Sequence, residues 1–119
     1  MTFKEIAITL GCKILVKTDT FDSVIIENVV AGDLMSEVLV AEGEKTILVS
    51  SLAMDQLVRT AHIVDSLGVL IVNNKMPLET TKKLAQEFKL NLLATDLSLF
   101  ETCAILWDLS RKKHNQRED

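Results

Sequence analysis

Tyrosine is missing from this chain, and proline occurs once, at Pro77. Only five aromatic residues are present: Phe3, Phe21, Phe88, Phe100 and Trp107. They are too few and too scattered to form a base-stacking platform, and thirteen basic residues against seventeen acidic ones leave a net charge of -4. Nucleic acid is not expected as a partner on that ground, because replacing phosphate counterions needs a basic face. The four glycines, Gly11, Gly32, Gly43 and Gly68, are each isolated. A P-loop or dinucleotide fingerprint needs clustered glycines, so neither a self-contained kinase nor a Rossmann oxidoreductase is expected. Two cysteines, Cys12 and Cys103, make no disulfide framework and no closely spaced metal or redox pair. His62 and His114 have no partner at ligand spacing, so no metal site is predicted. No apolar run approaches the ~20 residues of a membrane helix, and no apolar signal region follows Met1. The expectation is a cytoplasmic protein without a membrane partner.

What is there suits one domain. At 119 residues with 48% apolar content, the chain can bury a core of ordinary domain size. Three apolar strands, Ile47–Val49, Val69–Val72 and Leu92–Ala94, are spaced about one crossover apart, the pattern of a buried parallel sheet. Ahead of them, Thr2 and Glu5 form a capping-box signature for a helix over Phe3–Leu10, closed by Gly11. A strand over Lys13–Lys17 and another over Val24–Ala31 follow, then a short helix over Leu34–Val40 with Asp33 as its cap. Helical periodicity covers 53–67, ended by Gly68, and 78–88, started near Pro77. Ser98 and Glu101 open a last helix over 98–110. The fold class predicted is α/β, a single domain over 1–110 with an about five-stranded, mostly parallel sheet and helices on its faces. Residues 111–119 read as a polar C-terminal tail.

The helix over 98–110 is apolar nearly all round, which one sheet face cannot bury. Phe100, Ala104, Ile105, Trp107 and Leu109, with Ile63 on the outward side of helix 53–67, are the candidate homodimer surface. A second candidate lies at the carboxyl ends of the strands, where ligands of open parallel sheets tend to bind. Gly32-Asp33, Ser50-Ser51, Asn73-Asn74 and Thr95-Asp96 fall at corresponding points there. Helix caps and turns explain the same residues, and Asp33 and Asp96 are read first as caps. Cys103, on the apolar helix, is read as a small hydrophobe.

Val29-Val30-Ala31-Gly32-Asp33-Leu34-Met35-Ser36, Arg59-Thr60-Ala61 and Ala94-Thr95-Asp96-Leu97-Ser98-Leu99-Phe100-Glu101 together resemble the DRTGG domain family, over Phe3 to about Leu109. The string Asp-Arg-Thr-Gly-Gly is not in the chain, so no site residue is carried over from it. The resemblance implies a fold similar to the N-terminal domain of HPr kinase/phosphorylase, which is not itself the kinase. It also implies a regulatory module of the sort found beside CBS domains in nucleotide-regulated pyrophosphatases and beside phosphotransacetylase domains, contributing there to subunit pairing. Free-standing relatives occur, some near genes for iron-only hydrogenases. Three functions follow in order: a non-catalytic module that homodimerises or meets a partner protein; a small-molecule sensor, for an adenine nucleotide among others, at the strand carboxyl ends; and an enzyme using Asp33 and Asp96. No cofactor is expected.

Overall fold

A computed structural model describes the backbone of residues 1–118 and the side chains of residues 1–111. The strands are β1 (Lys13–Val16), β2 (Asn28–Ala31), β3 (Thr46–Ser50), β4 (Gly68–Ile71) and β5 (Asn91–Ala94). They form one five-stranded sheet in the order β1-β5-β4-β3-β2. β2 through β5 are parallel and in consecutive order, while β1 joins β5 antiparallel with a bulge between Ile14 and Val16. The helices are α1 (Phe3–Leu10), α2 (Met35–Leu39), α3 (Asp55–Ile63), α4 (Glu79–Glu87) and α5 (Leu99–Glu118). The α/β architecture expected from the apolar runs is the one observed. No described helix is long and apolar enough to cross a membrane.

The order of the strands dictates the layers. Each step from β2 to β5 moves one place in the same direction, so right-handed crossovers put α2, α3 and α4 on one face. Their buried residues, among them Met35, Val38, Leu57, Val58, Ala61 and Ala85, pack on Leu48, Val69, Ile71 and Leu92. On the opposite face Phe3, Ile6, Ala7 and Leu10 of α1 and Leu106 of α5 cover Ile47, Val49, Leu70 and Leu93. β3, β4 and β5 are buried along their whole length, as strands covered on both sides must be.

Several boundaries differ from the sequence reading, each for a local reason. Val24–Glu27 are not strand: Ile26 drops into the core and its amide donates to the Met1 carbonyl. α3 ends at Ile63, because Asp65 takes a left-handed conformation (φ 57). Gly68 therefore does not close the helix but begins β4. A Cβ there would lie 2.5 Å from the Asn91 carbonyl oxygen and 2.8 Å from the Phe3 ring, so the glycine permits close strand and helix approach. α5 runs on through Glu118 into the segment read as a tail, whose Arg, Lys, Gln and Glu residues are good helix formers. The side chains of 112–119 lie outside the described residues.

The caps are mostly as expected. Thr2 Oγ1 accepts from the Glu5 amide, and Gly11 (φ 60) closes α1. Ser98 Oγ accepts from the Glu101 amide while Glu101 accepts from Ser98, a complete capping box.

Candidate functional site

The register aligns the carboxyl ends of β2 to β5 along one edge: Ala31 pairs with Val49, Ser50 with Ile71, and Ile71 with Ala94. The polar residues beyond them gather into two clusters. In the first, Asp33 does not cap α2; Leu34 takes the cap position and offers no side-chain hydrogen bond. The Asp33 carboxylate instead accepts from Ser50 Oγ (2.7 Å), the Ser51 amide (2.7 Å) and Ser51 Oγ. These bonds, led by that of the Ser51 hydroxyl, lower the Asp33 pKa below its ordinary value against a small opposing effect of burial. Gly32 carries the ladder one step further, its amide donating to Val49. Gly32, Asp33, Ser50 and Ser51 thus form a clasp between the ends of β2 and β3.

The second cluster sits where β4 and β5 send their chains to opposite faces, to α4 and to α5. A ligand crevice opens at such a divergence in other open sheets. Here the gap is bridged, because the Asn73 amide donates to the Leu97 carbonyl (2.8 Å) and the Asn74 amide to the Thr95 carbonyl (3.2 Å). Both asparagines hold left-handed conformations, φ 62 and 56, which Asn tolerates better than most residues. Thr95 is buried and its hydroxyl donates to the Leu10 carbonyl at 3.0 Å, tying β5 to the end of α1. Asp96 is exposed and does not cap α5, since Ser98 does. The eight residues share one edge, where the Ser50, Ser51 and Thr95 hydroxyls and the main-chain amides of Asn73 and Asn74 fasten strands and loops together.

A cleft of about 560 Å³ lies at the opposite, amino-terminal edge of the sheet, lined among others by Lys45, Asp65, Ser66, Phe88 and Lys89. Its lysines and carboxylates balance, so no class of ligand is singled out. The sequence reading missed the two buried polar residues beside it. Asn91 Oδ1 accepts from the Thr18 amide (2.8 Å) and hydroxyl (3.1 Å), while its Nδ2 donates to Thr20 Oγ1 (2.8 Å) and to the Leu67 carbonyl (3.2 Å). Ser66 Oγ donates to the carbonyls of Thr46 and Gly68. Neither belongs to a motif; a polar residue inside an apolar strand run was the one available signal.

The candidate dimer residues divide. Leu106 is buried against the sheet, and Ile105 and Leu109 are half-buried, packed on the core cluster that includes α1. Phe100 (83% exposed), Ala104 and Trp107 (65% exposed) face outward. Positions 100, 104, 107 and 111 follow helical spacing, so these three and Arg111 make one stripe, and the Arg111 guanidinium lies 5.6 Å from the Trp107 ring centre. Ile63 is also exposed (70%), but α3 packs on the other face of the sheet, so it shares no patch with α5.

Among the described residues no three His, Cys, Asp or Glu side chains converge as a metal site. His62 is stacked on Phe88, ring centres 4.0 Å apart, while His114 lies outside the described side chains. Burial pushes the Cys12 thiol up to about 11 and raises that of Cys103. Both therefore stay protonated near neutrality, away from the thiolate form that reacts. The chain matches no protein-family model, and no curated protein matches it.

Proposed function

We propose that the chain is a non-catalytic regulatory or interaction module of the DRTGG kind, and that it works as a homodimer paired through α5. The observation that carries this reading is the Phe100–Ala104–Trp107 stripe, with 83% and 65% of its two aromatic residues exposed. A large aromatic side chain presents ~150–250 Å², so the two leave about 300 Å² of contiguous apolar surface, the size of the largest patch on many monomers, which is often functional. The Asp33 carboxylate and the Ser50, Ser51 and Thr95 hydroxyls support the same reading, because each is already engaged within the chain. The adenine-nucleotide sensor and the Asp33/Asp96 enzyme both require those groups to turn toward a ligand.

Trp107 is the one tryptophan of the chain, so its fluorescence reports on the stripe directly. Multi-angle light scattering at micromolar concentration is expected to give twice the chain mass. Dilution is expected to shift the tryptophan emission to the red as the dimer dissociates. A monomer with emission unchanged over that range overturns the proposal.

A further inference from the structure

The α5 stripe alone is too small for a stable pair. Its about 300 Å² falls well short of the ~800 Å² per partner of a standard interface, so a second surface must join it. A groove of about 230 Å³ shows which one adjoins: its lining combines Cys103, Leu106, Trp107 and Ser110 of α5 with Val29 and Ala31 of β2. β2 is an end strand of the sheet. The amides of Asn28 and Gly32 donate inward, to the carbonyls of Lys45 and Val49. Strand alternation then turns the N–H and C=O groups of Val29 and Ala31 outward, away from β3.

Native edges are normally blunted by a charge, a proline or a bulge. Asn28-Val29-Val30-Ala31 has no charge and no proline, and its register with β3 is regular. We infer that β2 pairs antiparallel with β2 of a second copy of this chain, joining two sheets into one of ten strands, and that this edge is the other half of the α5 dimer surface proposed above. The inference rests on that homodimer reading and specifies its geometry. One register satisfies the outward groups best. With the two-fold axis at Val30, Val29 faces the partner's Ala31 and Ala31 faces the partner's Val29. Each pair exchanges two hydrogen bonds, and Val30 stands opposite the partner's Val30. The two grooves merge into a trough floored by Val29 and Ala31 of both copies and walled by the two Trp107 side chains. The same register sets Asp33 across from the partner's Glu27, so added salt should tighten the pair by screening.

Disulfide trapping tests the register. In a chain with Cys12→Ala and Cys103→Ala, Val30→Cys places two thiols in a non-hydrogen-bonded antiparallel pair, with Cα atoms ~4.5 Å apart, inside the disulfide range. Mild oxidation is expected to give a covalent dimer from Val30→Cys and none from Ile14→Cys on the opposite edge. Ala31→Pro serves as a second variant, because it removes an outward amide and no bond to β3. It is expected to weaken the dimer at least about 10-fold, with the circular dichroism of the fold unchanged. A dimer by light scattering that is trapped by Ala104→Cys but not by Val30→Cys, and is indifferent to Ala31→Pro, overturns edge pairing and leaves the homodimer standing. A monomer at micromolar concentration overturns both.

Discussion

The two edges of this sheet are built on opposite plans. β1 begins at Lys13 and is followed by Lys17, and a bulge breaks its register. Lys17 is drawn to Asp22 (3.7 Å) and lies over the Phe21 ring. A second copy approaching this edge meets two cations and a twisted, irregular ladder, the usual protection against edge association. β2 itself offers four uncharged residues in regular register, flanked by Glu27 and Asp33, with exposed Val29 and Ala31 beside the aromatic stripe of α5. In the proposed pairing one edge would repel a second sheet and the other accept it, so that a mostly parallel sheet with two open ends forms a closed pair in place of a filament.

The edges are also anchored differently. Beside β1, the buried Asn91 side chain holds the 18–20 turn through Thr18 and Thr20 and holds the Leu67 carbonyl on the neighbouring strand. Replacing it breaks the comparison hardest. Asn91→Leu strands the half-buried Thr18 amide, while the Leu67 carbonyl keeps its bond from the main-chain amide of residue 91, and should cost about 2 kcal/mol, since each unsatisfied buried group costs about 1–3 kcal/mol. Urea unfolding is the measurement, with a fall in midpoint at unchanged slope expected.

The β2 anchor is weaker because it is wet. Asp33 clasps Ser50 and Ser51 from an exposed position, so the ~1.5–3 kcal/mol of charge-assisted bonds is discounted by solvent to about 1 kcal/mol. Asp33→Asn should lose about that much at neutral pH. The sign follows from the lowered carboxyl pKa. The contribution is present above the ordinary value of 3.8 and is lost as pH falls through the lower folded value. Thermal melts of the two proteins should therefore differ at pH 7 and converge as the pH falls below 3.8 and through the lowered folded value.

Sequence alone carried the parallel core, because Ile47–Val49, Val69–Val72 and Leu92–Ala94 can be buried on both sides only as central strands. It carried the capping boxes at Thr2 and Ser98, whose partners sit three residues away. Features that depend on distant segments were not legible. Gly68 after a periodic stretch looks like a helix stop until Asn91 and Phe3 are seen closing on it. Asp33 before Leu34 looks like a cap until β3 brings Ser50 and Ser51 alongside. Asn91 shows only as a polar residue beside an apolar run, and its role stays hidden because its partners lie more than seventy residues upstream in Thr18 and Thr20. The surplus apolarity of α5 was visible, but not which side of it α1 covers. That division, with Ile105 and Leu109 inward and Phe100 and Trp107 outward, decides what a partner meets.

The smallest change in stability should bring the most telling change in assembly. Lys13 is exposed, and Lys13→Val should alter the unfolding free energy by no more than about 0.5 kcal/mol, as surface substitutions do. It removes one of the two charges that guard the β1 edge and adds a β-branched residue, which strands favour. A molecule with both edges receptive is no longer limited to a closed pair, because a dimer joined through β2 still presents two free β1 edges. Sedimentation velocity should show species larger than the dimer, growing with protein concentration. Combining Lys13→Val with Ala31→Pro should reduce those species to pairs joined through β1 alone. If Lys13→Val stays strictly dimeric at high concentration, the bulge and Lys17 suffice to guard that edge and Lys13 adds nothing.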